Sequence, residues 1–191
     1  MAESQPEFPN QGGHPHMDAL NRLLSLIRML DERGRVLCLA SFAEEALGRL
    51  LLGYLRETKQ AKELIEGFNA PLGTLATRIK AAFTMGLISR EQFDDLEVLR
   101  RIRNAFAHNW EGISLDQGDL KSLVGKLHGY TFDNQKAIGD EKSRLTTTIS
   151  TILVELTVMA RENERHNRIA PLVAFRLTTQ APVKAQFVEV K

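Results

Sequence analysis

The segment LRRIRNAFAHNW, Leu99 to Trp110, gathers the densest set of chemistry-bearing side chains in the 191-residue chain. An arginine can grip a phosphate through a two-pronged fork. A histidine can move a proton near neutral pH. Arg103, Asn104 and His108 could therefore support cleavage of an RNA phosphodiester through its 2′-hydroxyl, with no metal. Arg100 and Arg101 add charge just upstream. On an ideal helix Asn104 and His108, four residues apart, share a face. Arg103 and His108 are five apart and sit roughly 140° from each other around the axis. They converge only if the helix distorts near His108 or if two copies face each other across a dimer.

The same residues also have a structural reading. His108 falls where the helix should end, close to Asn109 and Gly112. A histidine in a last turn favours the helix dipole and can bond the open carbonyls. Arg103 and Asn104 can hold a neighbouring helix by hydrogen bonds. Glu44 and Glu45, on an earlier helix, are natural ion-pair partners for Arg101 or Arg103. On the residues alone we favour an interaction cluster of Arg100, Arg101, Arg103, Asn104, His108, Glu44 and Glu45, with no catalytic residue assigned. A catalytic Arg103, Asn104 and His108 is the alternative.

Other candidates carry less. Ser41 has no histidine beside it in sequence. His128 and His166 stand near expected helix ends, where capping or exposure explains them, and His14 and His16 lie in an expected tail. The lone Cys38 excludes an intrachain disulfide and a cysteine-based zinc site; its apolar setting, VLCLA, fits a core position. No glycine-rich phosphate loop, HExxH or EF-hand loop is present, so no metal and no cofactor is expected. Lys and Arg total 25 against 24 Asp and Glu, a net charge of +1, which argues against a dedicated polyanion binder. No stretch nears the 18 or so uncharged apolar residues of a membrane span. The N-terminus lacks the pattern of a secretory signal. The expected location is the cytoplasm.

These side chains need helices to position them. Residues 1–16, rich in proline and glycine, are expected to be a disordered tail. Leu20, Leu23, Leu24, Ile27 and Leu30 recur at helical spacing. Asp31–Gly34 is a polar break. Val36, Leu39, Ala40, Ala43, Leu47, Leu50, Leu51 and Tyr54 then form a second stripe, in which Gly48 and Gly53 can admit a close neighbour. A short helix follows near 60–66. GFNAPLG is a turn that fixes the start of a helix capped by Thr74. Ser89 and Gln92 make a capping box for the next helix, whose apolar members are Phe93, Leu96, Leu99, Ile102 and Phe106. Leu120, Leu123, Val124 and Leu127 mark another. Gly129–Asp140 is a loop, and Asp140 can cap a long helix to about His166. The β-branched centre of that helix makes a strand locally competitive, but length and flanking charge favour helix. After Pro171 two extended segments can pair as a hairpin or lie on helices. The expected fold is all-α: one helical domain of about six or seven helices over 17–170, with an extended segment at 171–191.

The blocks ASFAEEALGRLLLGYL (40–55), FNAPLGTLATRIKAAFTMGLIS (68–89) and DLEVLRRIRNAFAH (95–108) resemble the mannitol operon repressor family of bacterial regulators. That resemblance implies an all-helical protein linked to repression of a sugar-alcohol operon. It also implies a repressor that need not touch its operator, acting through a protein partner. The residues agree: no helix-turn-helix with an exposed basic recognition helix is evident, and Leu99, Ile102 and Phe106 tie the arginine-rich segment to a core. More broadly, Arg103-Asn104-x-x-x-His108 is similar to the R-x4–6-H signature of HEPN domains. Several of those families cleave RNA at a composite site between two chains. Carried over, Arg103 would bind the scissile phosphate, His108 would be the general acid/base and Asn104 would orient them, with RNA as substrate. A homodimer is expected on either reading.

Overall fold

The computed structural model describes residues 15–109, 111–129, 139–166, 168–170, 173–177 and 185–189. Residues 1–14 of the expected 1–16 tail and most of the 129–140 loop lie outside the described residues; Pro15 and His16, expected in that tail, are instead the first residues of a helix. Seven helices form the body: α1 (Pro15–Leu26), α2 (Glu32–Tyr54), α3 (Lys59–Ile65), α4 (Leu75–Thr84), α5 (Arg90–His108), α6 (Gly118–Gly125) and α7 (Glu141–Arg165). Two strands follow, β1 (Val173–Leu177) and β2 (Ala185–Glu189), paired antiparallel from Val173↔Glu189 to Leu177↔Ala185. Of the placements open to the extended segments, they take the hairpin.

Most helices start at a side chain that satisfies an orphan backbone N–H. Asp31, Thr58, Thr74, Ser89 and Asp140 each accept from an amide three residues on. The break expected at 31–34 lies earlier, at 27–31: α1 ends at Leu26, so Ile27 and Leu30 of the expected first stripe fall beyond its end. Asp31 is the cap itself, its carboxylate taking the Gly34 N–H at 2.7 Å, so α2 already begins at Glu32. Thr74 and Thr77 make a reciprocal capping box.

α2 is the central element and packs on α3, α4, α5 and α7. Val36, Leu39, Leu47 and Leu50 of α2 are fully buried with Leu145, Ile149 and Leu153 of α7, Ile79 of α4, and Leu96, Leu99 and Ile102 of α5. The β-branched run is helical, and its Thr146 and Thr157 hydroxyls bond back to the carbonyls of Lys142 and Leu153. Burial of Ile149 and Ile152 in the core overrides the local strand preference. The close approach expected at Gly48 is made by a side chain: a Cβ there would lie 2.8 Å from Arg78 Nη1. Gly53 has no such neighbour.

Candidate functional site

α5 carries the arginine-rich segment. Its capping box is formed: Ser89 Oγ accepts from Gln92 N at 3.2 Å, and Gln92 Oε1 accepts from Ser89 N at 2.8 Å. Leu96, Leu99, Ile102 and Phe106 are buried along one side. Arg101, Arg103 and His108 are exposed, and Asn104 is half-buried. Arg103 Nη1 donates to Asn104 Oδ1 at 3.1 Å. The helix stays α-helical through His108. No distortion turns His108 toward Arg103, and within one chain the two keep the roughly 140° offset of regular helix geometry. A site using both needs a second copy.

Several expected contacts are not made. Glu44 does not pair with Arg101 or Arg103. Its carboxylate faces α4 and accepts the Leu75 N–H at 2.8 Å, which favours an anion at that helix start. Glu45 also turns away and pairs with Arg49 on its own helix, where a four-residue offset puts them side by side. Arg100 is held by Glu97 at 2.8 Å; the guanidinium's hydrogen bond keeps the Glu97 carboxyl below its usual range. His108 does not bond the open carbonyls of α5. Asn109 Nδ2 donates to the Ala105 carbonyl at 2.9 Å, and Arg33 donates to the carbonyls of Phe106 and Asn109.

Four long-range anchors escaped the sequence reading. Arg33, at the start of α2, closes the end of α5 and sits 5.9 Å from the Phe106 ring centroid. Its neighbour Glu32 accepts from Ser114 Oγ at 2.9 Å and Leu115 N at 3.1 Å, so adjacent residues grip both sides of the 109–115 loop. Arg78 donates to three carbonyls, those of Leu72, Glu44 and Ile65, at 2.8, 2.7 and 2.8 Å. That fastens the FNAPLG turn between α2 and α3. Asp95 is buried in α5 and accepts from both His128 N, at 2.9 Å, and His128 Nδ1, at 3.0 Å. Burial pushes the Asp95 carboxyl up, against the His128 hydrogen bonds, which pull it down. His128 was expected to cap or to be exposed; it is instead partly covered and tied to α5. His166 does sit at a helix end, with Nδ1 3.1 Å from the Glu162 carbonyl.

Among the described residues no group of three or more His, Cys, Asp or Glu could hold a metal, and no helix is long and apolar enough to cross a membrane. Cys38 is a free, partly buried thiol against the core.

No family model matches the chain. Two relatives, both named mannitol operon repressor, from Escherichia coli K12 and from Escherichia coli O6:H1, are each 28% identical over 88 residues. Those residues are 44% of this chain, and the chain spans only 45% of each relative's length. Among solved structures, a chain in the X-ray structure of the MtlR–HPr complex from Escherichia coli shares the fold, with a TM-score of 0.52 at 21% identity. The match covers 76% of this chain and 98% of that one. The resemblance to the mannitol operon repressor family is thus met by an alignment of 88 residues, and the fold is shared over 76% of the chain.

Proposed function

We propose that the helical domain, residues 17–170, is a mannitol-repressor-like transcriptional regulator. It acts as a non-enzymatic module, through contact with another protein rather than by reading DNA. One observation carries the reading: the arginine-rich α5 buries Leu96, Leu99, Ile102 and Phe106 between its charges. A recognition helix must stand clear enough to enter a major groove, and this one is committed to the core. The near-zero net charge supports the same view, as do relatives named as repressors and a fold relative solved in complex with HPr. A protein of the HPr kind is the first partner to try. The regulator is assigned to the cytoplasm and to a homodimer. In a gel shift at near-physiological salt the purified protein should not bind its own operon's promoter sequence-selectively. Tight selective binding without a partner would overturn the indirect mechanism. Light scattering should give a dimer at micromolar concentration, and a monomer alone refutes that assignment.

A second reading is a HEPN-type metal-independent ribonuclease. The exposure of Arg103 and His108, neither consumed by Glu44 or Glu45, favours it. It requires a dimer that joins Arg103 of one copy to His108 of the other. RNA should then be cleaved in the presence of a chelator, and His108→Ala and Arg103→Ala should each abolish cleavage. An inactive parent, or variants as active as the parent, rules it out.

A further inference from the structure

Phe68, in the turn between α3 and α4, is 98% exposed, more than any other large apolar side chain among the described residues. Its turn is tightly braced. Gly67, at φ 102°, and Asn69, at φ 60°, flank it in the left-handed region, which a non-glycine residue enters rarely. Leu72 N donates to the Leu64 carbonyl at 2.8 Å, and Gly73 N to the Ala70 carbonyl at 2.9 Å. Arg78 ties the two ends of the turn, at Ile65 and Leu72, to Glu44 of α2. An aromatic ring presented on so fixed a backbone loses little freedom when it is covered. Aromatic anchors seated in a partner's pocket carry a large share of interface energy.

The charges of α3, which leads into that turn, are the second observation. Lys59 and Lys62 lie in its first half, and Glu63 and Glu66 in its second half and at its C-cap. All four are exposed, on a side turned away from the buried Ala61 and Ile65. At 100° per residue they fall within an arc of about 100°. An interface between two copies related by a twofold axis must be complementary to itself. A short helix that is basic first and acidic last meets that condition when it lies antiparallel to its own copy. Lys59 then stands level with Glu66 of the other copy, and Lys62 with Glu63. Lys59 and Glu63 pair along the helix at 3.3 Å, but both are mostly exposed; a pair that open holds weakly and can exchange partners. The same reversal brings Phe68 level with the 55–58 link of the other copy. A groove of about 650 Å3 opens there, with Leu52, Leu55 and the 40% exposed Ile169 in its lining. The next residue, Ala170, donates its N–H to the Tyr54 carbonyl at 2.8 Å, which fixes Ile169 beside the end of α2.

We infer that α3 and the Phe68 turn are the face on which two copies of this chain meet: the α3 helices lie antiparallel, and each Phe68 ring enters the other copy's groove beside Leu55 and Ile169. Two rings and four lysine–glutamate contacts are then repeated by one twofold axis. The inference rests on the homodimer assigned above and names the surface that makes it.

Sedimentation equilibrium and light scattering of the full chain test it. Phe68→Ser changes a side chain that touches almost nothing within its own copy, so the circular dichroism should be unchanged while the dimer dissociation constant rises at least about tenfold. A charge exchange tests the antiparallel arrangement. Glu63→Lys/Glu66→Lys makes the face wholly basic, and Lys59→Glu/Lys62→Glu makes it wholly acidic, so each variant alone should be monomeric. Mixed one to one, they should form a heterodimer, and added salt should weaken it. Arg103→Ala, on α5, should stay dimeric; its dissociation would move the interface to α5 and overturn the proposal. A dimer as tight in Phe68→Ser as in the parent, or charge variants that still self-associate, leaves the homodimer standing and removes this face from it. A Phe68→Ser variant that stays dimeric but no longer binds a protein of the HPr kind assigns the face to that partner instead. A parent that is monomeric up to about 100 μM overturns both the homodimer and its proposed face.

Discussion

Removing the Arg78 guanidinium should do more damage than its half-buried position on α4 suggests. Three carbonyls from three segments depend on it: Glu44 in α2, Ile65 at the end of α3 and Leu72 in the turn before α4. Hydrogen bonds to a charged group contribute about 1.5–3 kcal/mol each. Partial exposure argues for the low end, and bonds from one fork do not add fully. Arg78→Met, which keeps the stem and loses every donor, should therefore cost about 3–4 kcal/mol. For a chain of this size that is a fall of about 10 °C in melting temperature. Arg78→Lys can reach only one carbonyl and should cost about 2 kcal/mol. The same geometry couples Arg78 to Gly48, where a Cβ would sit 2.8 Å from Nη1 and 3.1 Å from Cζ. In the parent, Gly48→Ala must displace an anchored guanidinium and should destabilise. In an Arg78→Ala background the clash is gone, and the helix preference for alanine should make the change stabilising by up to about 1 kcal/mol. Urea melts followed by far-UV circular dichroism give the double-mutant cycle. An Arg78→Lys variant within about 0.5 kcal/mol of the parent, or a Gly48→Ala effect equal in both backgrounds, would refute the reasoning.

Phe106→Ala should cost about 3–5 kcal/mol, because the ring is only 1% exposed and truncation leaves a cavity. His108→Ala, two residues on and exposed, should stay within about 0.5 kcal/mol in the same melts; a large loss there would mean the imidazole is structural. Arg33→Gln should cost about 1–2 kcal/mol, from lost hydrogen bonds to the last turn of α5 and lost interaction with its dipole, and amide exchange should accelerate first at the end of α5; unchanged exchange there would remove Arg33 as its cap. Burial raises the Asp95 carboxyl above its ordinary 3.8, so folding favours the protonated form. That contribution is complete below 3.8 and is lost as pH rises through the folded-state value. Stability measured against pH should thus shift in favour of Asp95→Asn as pH climbs from 3.8, and a shift the other way contradicts the assigned cause.

Helix starts were legible because their chemistry is local. Ser89 and Gln92, Thr74, and Asp140 announce themselves within three residues of the amides they satisfy. The stripes of α2 and α5 read equally well, since burial of one face repeats at the helical period, whereas that of α1 was extended past Leu26, where the helix ends. What escaped is what depends on distance along the chain. Arg33 meets α5 more than 70 residues later, and Asp95 meets His128 33 residues later. Nothing in the neighbourhood of either residue encodes the meeting. Glu44 and Glu45 were misjudged for the same reason: charge complementarity suggested α5, but a helix start and a neighbour one turn away were nearer. Within the candidate cluster, residue types and helix phase were readable, whereas the partners of Arg100, Glu44 and Glu45 were not.

The paired grip of Glu32 and Arg33 bears on how such a chain can diversify. Both shoulders of the span between Asn109 and Ser114 are anchored to the same first turn of α2. Inserted residues would lengthen only the arc between fixed posts, and each doubling of a flexible arc costs only about 0.6 kcal/mol. New sequence can therefore be grafted beside His108 without shifting either helix, so descendants of this architecture have a ready place to try out novel attachments while the scaffold stays as it was.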